Sequence, residues 1–195
     1  MEKYPKEVKL KSDEMITIRL FEPDDLETLI QFYQSLPESD RMFLRIDVMD
    51  RQNIIRRYGN PNYDYIYPVI AVDDHQIIGE GTLFRAEFGW MRHTGELRCV
   101  VSEKYKRKGL CTILVRELFL HAVSTDLYKI QAAVMEEQKS AIAAFSRMGF
   151  KQEAVLKKHV TDTHGKRHDL VLLNLDIEEL WYLMEDFTHG KQFVV

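Results

Sequence analysis

EKYKRKGLCTILVREL (residues 103–118) sets Lys104, Lys106, Arg107 and Lys108 within five positions, follows them with Gly109, and then enters an apolar helical pattern. A cation run is ordinarily a solvated face. This one stands between a strand and a helix start, which gives it a second meaning. GELRCVVS (95–102) just before it reads as a strand, and Leu110, Leu114, Leu118 and His121 or Ala122 mark one face of a helix over 109–124. The stretch is therefore a strand–loop–helix unit whose loop is basic and whose helix opens on glycine.

Working outward, KIQAAVM (129–135) reads as a buried strand and KSAIAAFSRMGF (139–150) as a helix stopped by Gly149. Ala154–Thr161 and Arg167–Asp176 read as strands joined by a turn at THGK, and a last helix is predicted over Ile177–Phe187. Upstream, YIYPVIAVDDHQIIGEGTLFRA (65–86) reads as two strands about a turn at Asp73-Asp74-His75, with a loop over Phe88–His93. MITIRLF (15–21) alternates as a strand does. Pro23 and Asp24 then open a helix striped by Leu26, Leu29, Ile30, Phe32, Tyr33 and Leu36. Between them, 37–62 gives a short helix near Gln52–Tyr58 and loops. The expectation is an α/β fold: one mixed, mostly antiparallel central sheet flanked by helices. Residues 1–14 read as a polar lead-in, 15–187 as a single domain and 188–195 as a tail.

The 195 residues suit one core, and the net charge of −4 with pI near 6.0 speaks against a general nucleic-acid binder. Cys99 and Cys111 form no disulfide framework and no CxxC pair. The first residues lack an export core, and no apolar run is long enough for a membrane span, so the expected location is the cytoplasm. His164 and His168 are four apart but on a hairpin, so no shared metal face follows, and no metal is expected.

Gly109 sits where a helix start offers unpaired N–H groups and the positive end of the dipole. Glycine lets the backbone approach an anion closely, and neighbouring Lys and Arg add charge-assisted contacts. Together these describe a pyrophosphate cradle. The plain alternative is a solvated basic loop. Neither GxxxxGK[ST] nor GxGxxG is present, so nucleotide loops of those two kinds are excluded.

VVSEKYKRKGLCTILV resembles the acyl-CoA-binding signature of the GNAT acyltransferases, Gln/Arg-x-x-Gly-x-Gly/Ala at a helix start. Lys106, Arg107, Lys108, Gly109, Leu110 and Cys111 fill its six positions; Lys106 replaces Gln or Arg, and Cys111 the second Gly or Ala. KIQAAVMEEQKSAIAAFSRMGF is similar to the family's strand, splayed loop and helix, and Met15–Asp176 follow its element order. The resemblance implies acetyl-CoA as acyl donor and an amine as acceptor, a protein lysine first, with a small amine or an N-terminus as the alternative. It implies contacts to the donor from Cys99, Val100, Val101, Lys106, Arg107, Lys108, Gly109, Leu110, Cys111, Thr112, Gln138 and Phe145. The backbone of Cys99–Val101 would line the pantetheine arm, and an N–H there would hold the oxyanion. No nucleic acid or membrane partner is implied.

Acyl transfer needs a neutral amine, and a lysine titrates near 10.4, so stripping its proton at pH 7 costs about 4.6 kcal/mol. A positioned base helps. Glu96, thirteen positions before Gly109, opens its strand as the catalytic glutamate does in the bacterial protein-lysine acetyltransferases that the chain resembles. LPESDRMFLRI (36–46) looks like their segment after the first helix. The plain reading of Glu96 is a surface ion pair. Glu80 and Glu87 are weaker alternatives. Phe145 stands where many relatives have the Tyr that protonates the departing thiolate, and Gln138 where they often have Asn. Ser146, Tyr128 or water could substitute for that acid; a thiol titrates near 8.5, so unassisted departure costs only about 2 kcal/mol. A non-catalytic acyl-CoA sensor is the rival class. Cys99 reads as a small core residue, and Cys111 as a small residue with a redox role as the lesser alternative. Tyr63, Tyr65 and Tyr67 read as a strand edge or the acceptor entrance, Trp90 as lining that entrance, and Trp181 as packing or a homodimer contact.

Overall fold

The computed structural model describes residues 4–179. Eight strands form one sheet: β1 (Lys6–Lys9), β2 (Met15–Leu20), β3 (Ile66–Asp73), β4 (Gln76–Arg85), β5 (Thr94–Val101), β6 (Lys129–Met135), β7 (Lys151–Thr161) and β8 (Arg167–Asp176). Their spatial order is β1-β2-β3-β4-β5-β6-β8-β7, antiparallel throughout except where β5 runs parallel to β6. The helices are α1 (Leu26–Ser35), α2 (Glu38–Arg41), α3 (Arg51–Tyr58), α4 (Leu110–Val123) and α5 (Lys139–Arg147). The architecture is the mixed, mostly antiparallel sheet with flanking helices that the sequence predicts.

Two apolar clusters cover the two faces. On one, Leu110, Leu114, Leu118 and Ala122 of α4 and Phe145 of α5 pack with Ile16, Ile18, Val69, Leu97, Ile130 and Leu173 of the strands. On the other, Leu29, Ile30, Tyr33 and Leu36 join Ile54 and Tyr58 of α3 over Phe21, Ile70 and Ile77. α4 lies close on β4 because β4 offers glycines beneath it. A Cβ on Gly79 would stand 3.2 Å from the Leu110 and Leu114 side chains, and one on Gly81 3.1 Å from that of Leu118. α1 starts where Glu22 N–H donates to Asp25 Oδ2 at 2.9 Å, with Arg19 clamping both oxygens of Asp25 at 2.6 and 2.7 Å. The Asp50 side chain accepts from Gln52 N–H at the start of α3.

The lead-in reading does not hold for 6–9: these residues form β1, paired with Met15–Ile18 of β2. Lys-Glu-Val-Lys carries no apolar alternation; the edge of β2 imposes the strand. Lys6 and Tyr4 also reach the buried carboxylate of Glu117 on α4. α2, a single turn, lies within the stretch read as loop. β7 begins at Lys151 rather than Ala154, because a bulge between Gln152 and Ala154 breaks its alternation. Of the helix expected over Ile177–Phe187, 177–179 are helical; Trp181 and 188–195 lie outside the described residues. No helix among the described residues is long and apolar enough to cross a membrane.

Candidate active site

β5 stays paired to β4 along its whole length, from Gly95↔Arg85 to Val101↔Gly79. Its pairing with β6 is much shorter: Thr94↔Lys129, Gly95↔Ile130 and Glu96↔Gln131. Beyond Glu96 the two strands part, although β5 runs on to Val101 and β6 to Met135. The main chain of Leu97–Val101, with Cys99, Val100 and Val101 in it, thus faces an opening wedge inside the sheet. Backbone donors and acceptors along such an edge can pair with an extended amide-bearing chain as a neighbouring strand would.

The wide end of the wedge leads to the start of α4. A turn at Glu103–Tyr105 carries the chain to Lys106, Arg107 and Lys108, and Gly109 caps the helix at φ +89°. Arg107 is left-handed too, at φ +61°. Only glycine holds the cap conformation cheaply. The first-turn amides of Leu110, Cys111 and Thr112 have no acceptor further back in the helix. Across the wedge, Gln138 caps α5 and its side chain accepts from Met135 N–H at 3.3 Å.

The basic run divides once its partners are known. Lys106 Nζ donates to both oxygens of Asp40 at 2.8 and 2.7 Å and to Glu103 at 2.6 Å, and these contacts hold its proton above the usual lysine range despite partial burial. Lys108 Nζ donates to Glu14 at 2.7 and 2.8 Å and lies over the Tyr105 ring. Lys104 donates to the Tyr105 hydroxyl. Arg107 is exposed and has no carboxylate partner among the described residues. Lys11 is likewise exposed and unpaired there. Its N–H donates to Lys108 C=O at 3.1 Å, and its methylenes lie 3.5–3.8 Å from where a Gly109 Cβ would stand. Lys11 is the residue that sequence reasoning missed. It lies 98 positions from Gly109, in a stretch with no motif.

Glu96 occupies the last rung before the strands part. Arg45 Nη1 and Arg98 Nε donate to the same oxygen, Oε1, at 2.6 and 2.7 Å. Oε2 has no partner among the described residues. The ion pair of the plain reading is thus present, and one carboxylate oxygen remains available beside it. Glu80 is different. It is 1% exposed, and burial raises its carboxyl to about 7 despite donors from Thr82 and Tyr33, the latter at 2.9 Å. Sealed beneath α1 and α3, it cannot touch an acceptor. Glu87 sits in the exposed loop between β4 and β5 with Phe88 and Trp90, which are 81% and 92% exposed.

Phe145 is buried edge-on against Phe150 and has no proton to give. The Ser146 hydroxyl donates to Ile142 C=O at 3.0 Å, and Tyr128 stacks on His93. Tyr67 does not border the Glu96 face, since its ring stacks on His121 of α4, 3.4 Å between centroids. The Tyr63 hydroxyl donates to Phe21 C=O. Cys99 and Cys111 are free thiols, and the neighbouring Cys111 together with burial holds the Cys99 proton above the ordinary thiol range. No group of three or more His, Cys, Asp or Glu among the described residues could hold a metal ion.

Comparison with known proteins agrees with the fold. The model of the family described as the Acetyltransferase (GNAT) family matches residues 26–150. The structure of a ribosomal-protein-alanine N-acetyltransferase from Brucella melitensis is similar at 23% identity and TM-score 0.71, covering 82% of this chain and 98% of its own. The GNAT domain of S. lividans PAT matches at 16% identity and TM-score 0.71, with 88% and 96% covered. A Salmonella typhimurium structure holding its cofactor acetyl-CoA matches at 17% identity and TM-score 0.72, with 83% and 94% covered.

Proposed function

The chain belongs to the acetyltransferase (GNAT) family, and from that premise we propose that it transfers the acetyl group of acetyl-CoA directly to a protein lysine, with Glu96 accepting the amine proton. The observation that carries this reading is the parting of β5 from β6 immediately after Glu96, with the glycine-capped start of α4 at its wide end. The first-turn amides of Leu110–Thr112 hold the pyrophosphate, and Arg107 and Lys11 supply the unpaired positive charge. The pantetheine arm lies along Cys99–Val101, between there and Gln138. Lys106 and Lys108, engaged by Asp40 and Glu14, shape the loop rather than provide free charge.

In the reaction the amine nitrogen attacks the thioester carbonyl, the C–N bond forms, and the C–S bond breaks. The amine proton passes to Oε2 of Glu96, directly or through water. A β5 main-chain N–H stabilises the oxyanion, and the CoA thiolate departs and takes a proton from water. The reading takes the protein to act in the cytoplasm, in keeping with its two free thiols.

The test is release of free CoA from acetyl-CoA in the presence of lysine peptides, N-terminal α-amine peptides and small amines. Faster release with lysine peptides supports the reading. The name of the Brucella relative makes the α-amine arm the main competitor. Glu96→Gln should retain acetyl-CoA binding and lose at least about tenfold in turnover, within the range expected for a general base. Unchanged turnover removes Glu96 from the reaction, and binding without any turnover identifies a sensor.

A further inference from the structure

Three guanidinium groups from three separate segments meet at the Glu96 corner. Arg98 comes from β5, Arg57 from α3, and Arg45 from the loop after α2. Arg57 and Arg98 both lie on the Phe84 ring, at 5.1 and 4.7 Å from its centroid. Arg45 and Arg98 share Oε1 of Glu96. The register keeps these groups on one face: Phe84 is opposite Glu96, Thr82 opposite Arg98, and Glu80 opposite Val100.

The charges do not balance. Glu96, half-buried, is the single carboxylate among them that solvent reaches, and Glu80 is sealed below. Arg57 has no carboxylate partner among the described residues. Arg45 and Arg98 are only 37% and 24% exposed, so water screens the surplus incompletely. The chain as a whole carries a net charge of −4, so this corner opposes the overall sign. Arginines in excess of their carboxylates, with Arg57 and Arg98 half-buried, form a receptor for carboxylate, because the planar guanidinium offers paired donors.

We propose that the acceptor amine arrives with carboxylate groups beside it, as a lysine flanked by acidic residues does, and that Arg57 together with the outer faces of Arg45 and Arg98 reads those carboxylates. The proposal rests on the reading of Glu96 as the reacting corner and names the kind of amine it takes. The same cations favour the uncharged form of the incoming amine, which eases the step that Glu96 completes.

Matched peptides with one central lysine flanked by Glu, by Gln or by Arg, and free amino acids with their carboxylate-blocked amides, test this. The Glu-flanked peptide should exceed the Gln-flanked one in kcat/KM by about tenfold, the size of one charge-assisted contact. That ratio should shrink in Arg57→Gln and with rising salt. A larger ratio for free amino acids over their amides would show the same recognition met by a small substrate. Equal rates for Glu- and Gln-flanked peptides, or a preference that survives Arg57→Gln, would overturn it. Calorimetric titration of the same peptides into CoA-saturated protein reads the preference without turnover. An acidic preference in binding with no acetylation of any amine would keep this proposal and sink the catalytic one.

Discussion

Glu80 and Glu96 project from the same face of neighbouring strands, and packing gives them opposite chemistry. Glu96 keeps an accessible oxygen between two arginines, whereas Glu80 is closed under Tyr33 and Tyr58. Burial raises Glu80 to about 7 from an ordinary 4.5. The folded state therefore holds a proton that the unfolded chain releases near 4.5. Stability from this group is complete below that value and declines as pH rises to about 7, by about 3 kcal/mol in all. Glu80→Gln should flatten the decline, which urea midpoints at pH 5 and pH 8 would show; an unaltered slope would assign it to other groups. His168 works in the same direction. Glu137 and Asp162 hold its two ring nitrogens at 2.6 and 2.8 Å and raise it, so its contribution is present below its ordinary pKa and lost as pH climbs through the raised one. Glu96 was legible as a candidate because its distance from Gly109, a local count along the chain, resembles that of the catalytic glutamate in the bacterial protein-lysine acetyltransferases. The closure over Glu80 was not, since Tyr33 and Tyr58 lie 47 and 22 positions away and nothing in local spacing joins them to it.

Among the elements, α4 gathers the most consequence, because its start, its buried stripe and its seat on β4 all depend on glycines. Gly109→Ala would bring its Cβ only into ordinary contact with the Lys11 methylenes, so the penalty is conformational: about 1–2 kcal/mol for a left-handed alanine. The melting temperature should fall by roughly 2–8 °C, the scale expected for a chain of this size. Gly81→Val instead drives carbon into Leu118 and should cost about 1–3 kcal/mol by overpacking, with α4 pushed off β4. Thermal denaturation of the two variants separates strain from crowding if CoA binding is measured alongside. Lys11→Ala and Arg107→Ala should each weaken CoA affinity by about fivefold, the worth of roughly 1 kcal/mol, read by calorimetry. The stripe of α4 and its glycine cap were readable because helix spacing is local. β1 was not, because its strand character is lent by β2 and its anchor is Glu117, 111 positions from Lys6. The division of the basic run into engaged and free cations was equally hidden, as Asp40 and Glu14 come from segments that the fold alone brings near.

At the scale of the whole molecule, an eight-stranded sheet is held closed on both faces and opened at one internal seam. Acetyl-CoA at about 100 times its dissociation constant should add about 2.7 kcal/mol to stability, since it binds only the folded protein. The parting of β5 and β6 leaves two inner rails of amides, Leu97–Val101 and Ala132–Met135, where other strands of the sheet have neighbours. Solvent deuterium should therefore enter the β5 rail faster than it enters the equally central β4, and CoA should slow that entry selectively. If the pantetheine arm lies along this seam as proposed, it becomes a temporary member of the sheet, and mechanical continuity across the molecule lasts only while a donor or its spent thiol stays bound. Departure of the spent thiol, not acyl transfer itself, is then the step at which the protein loosens across its middle.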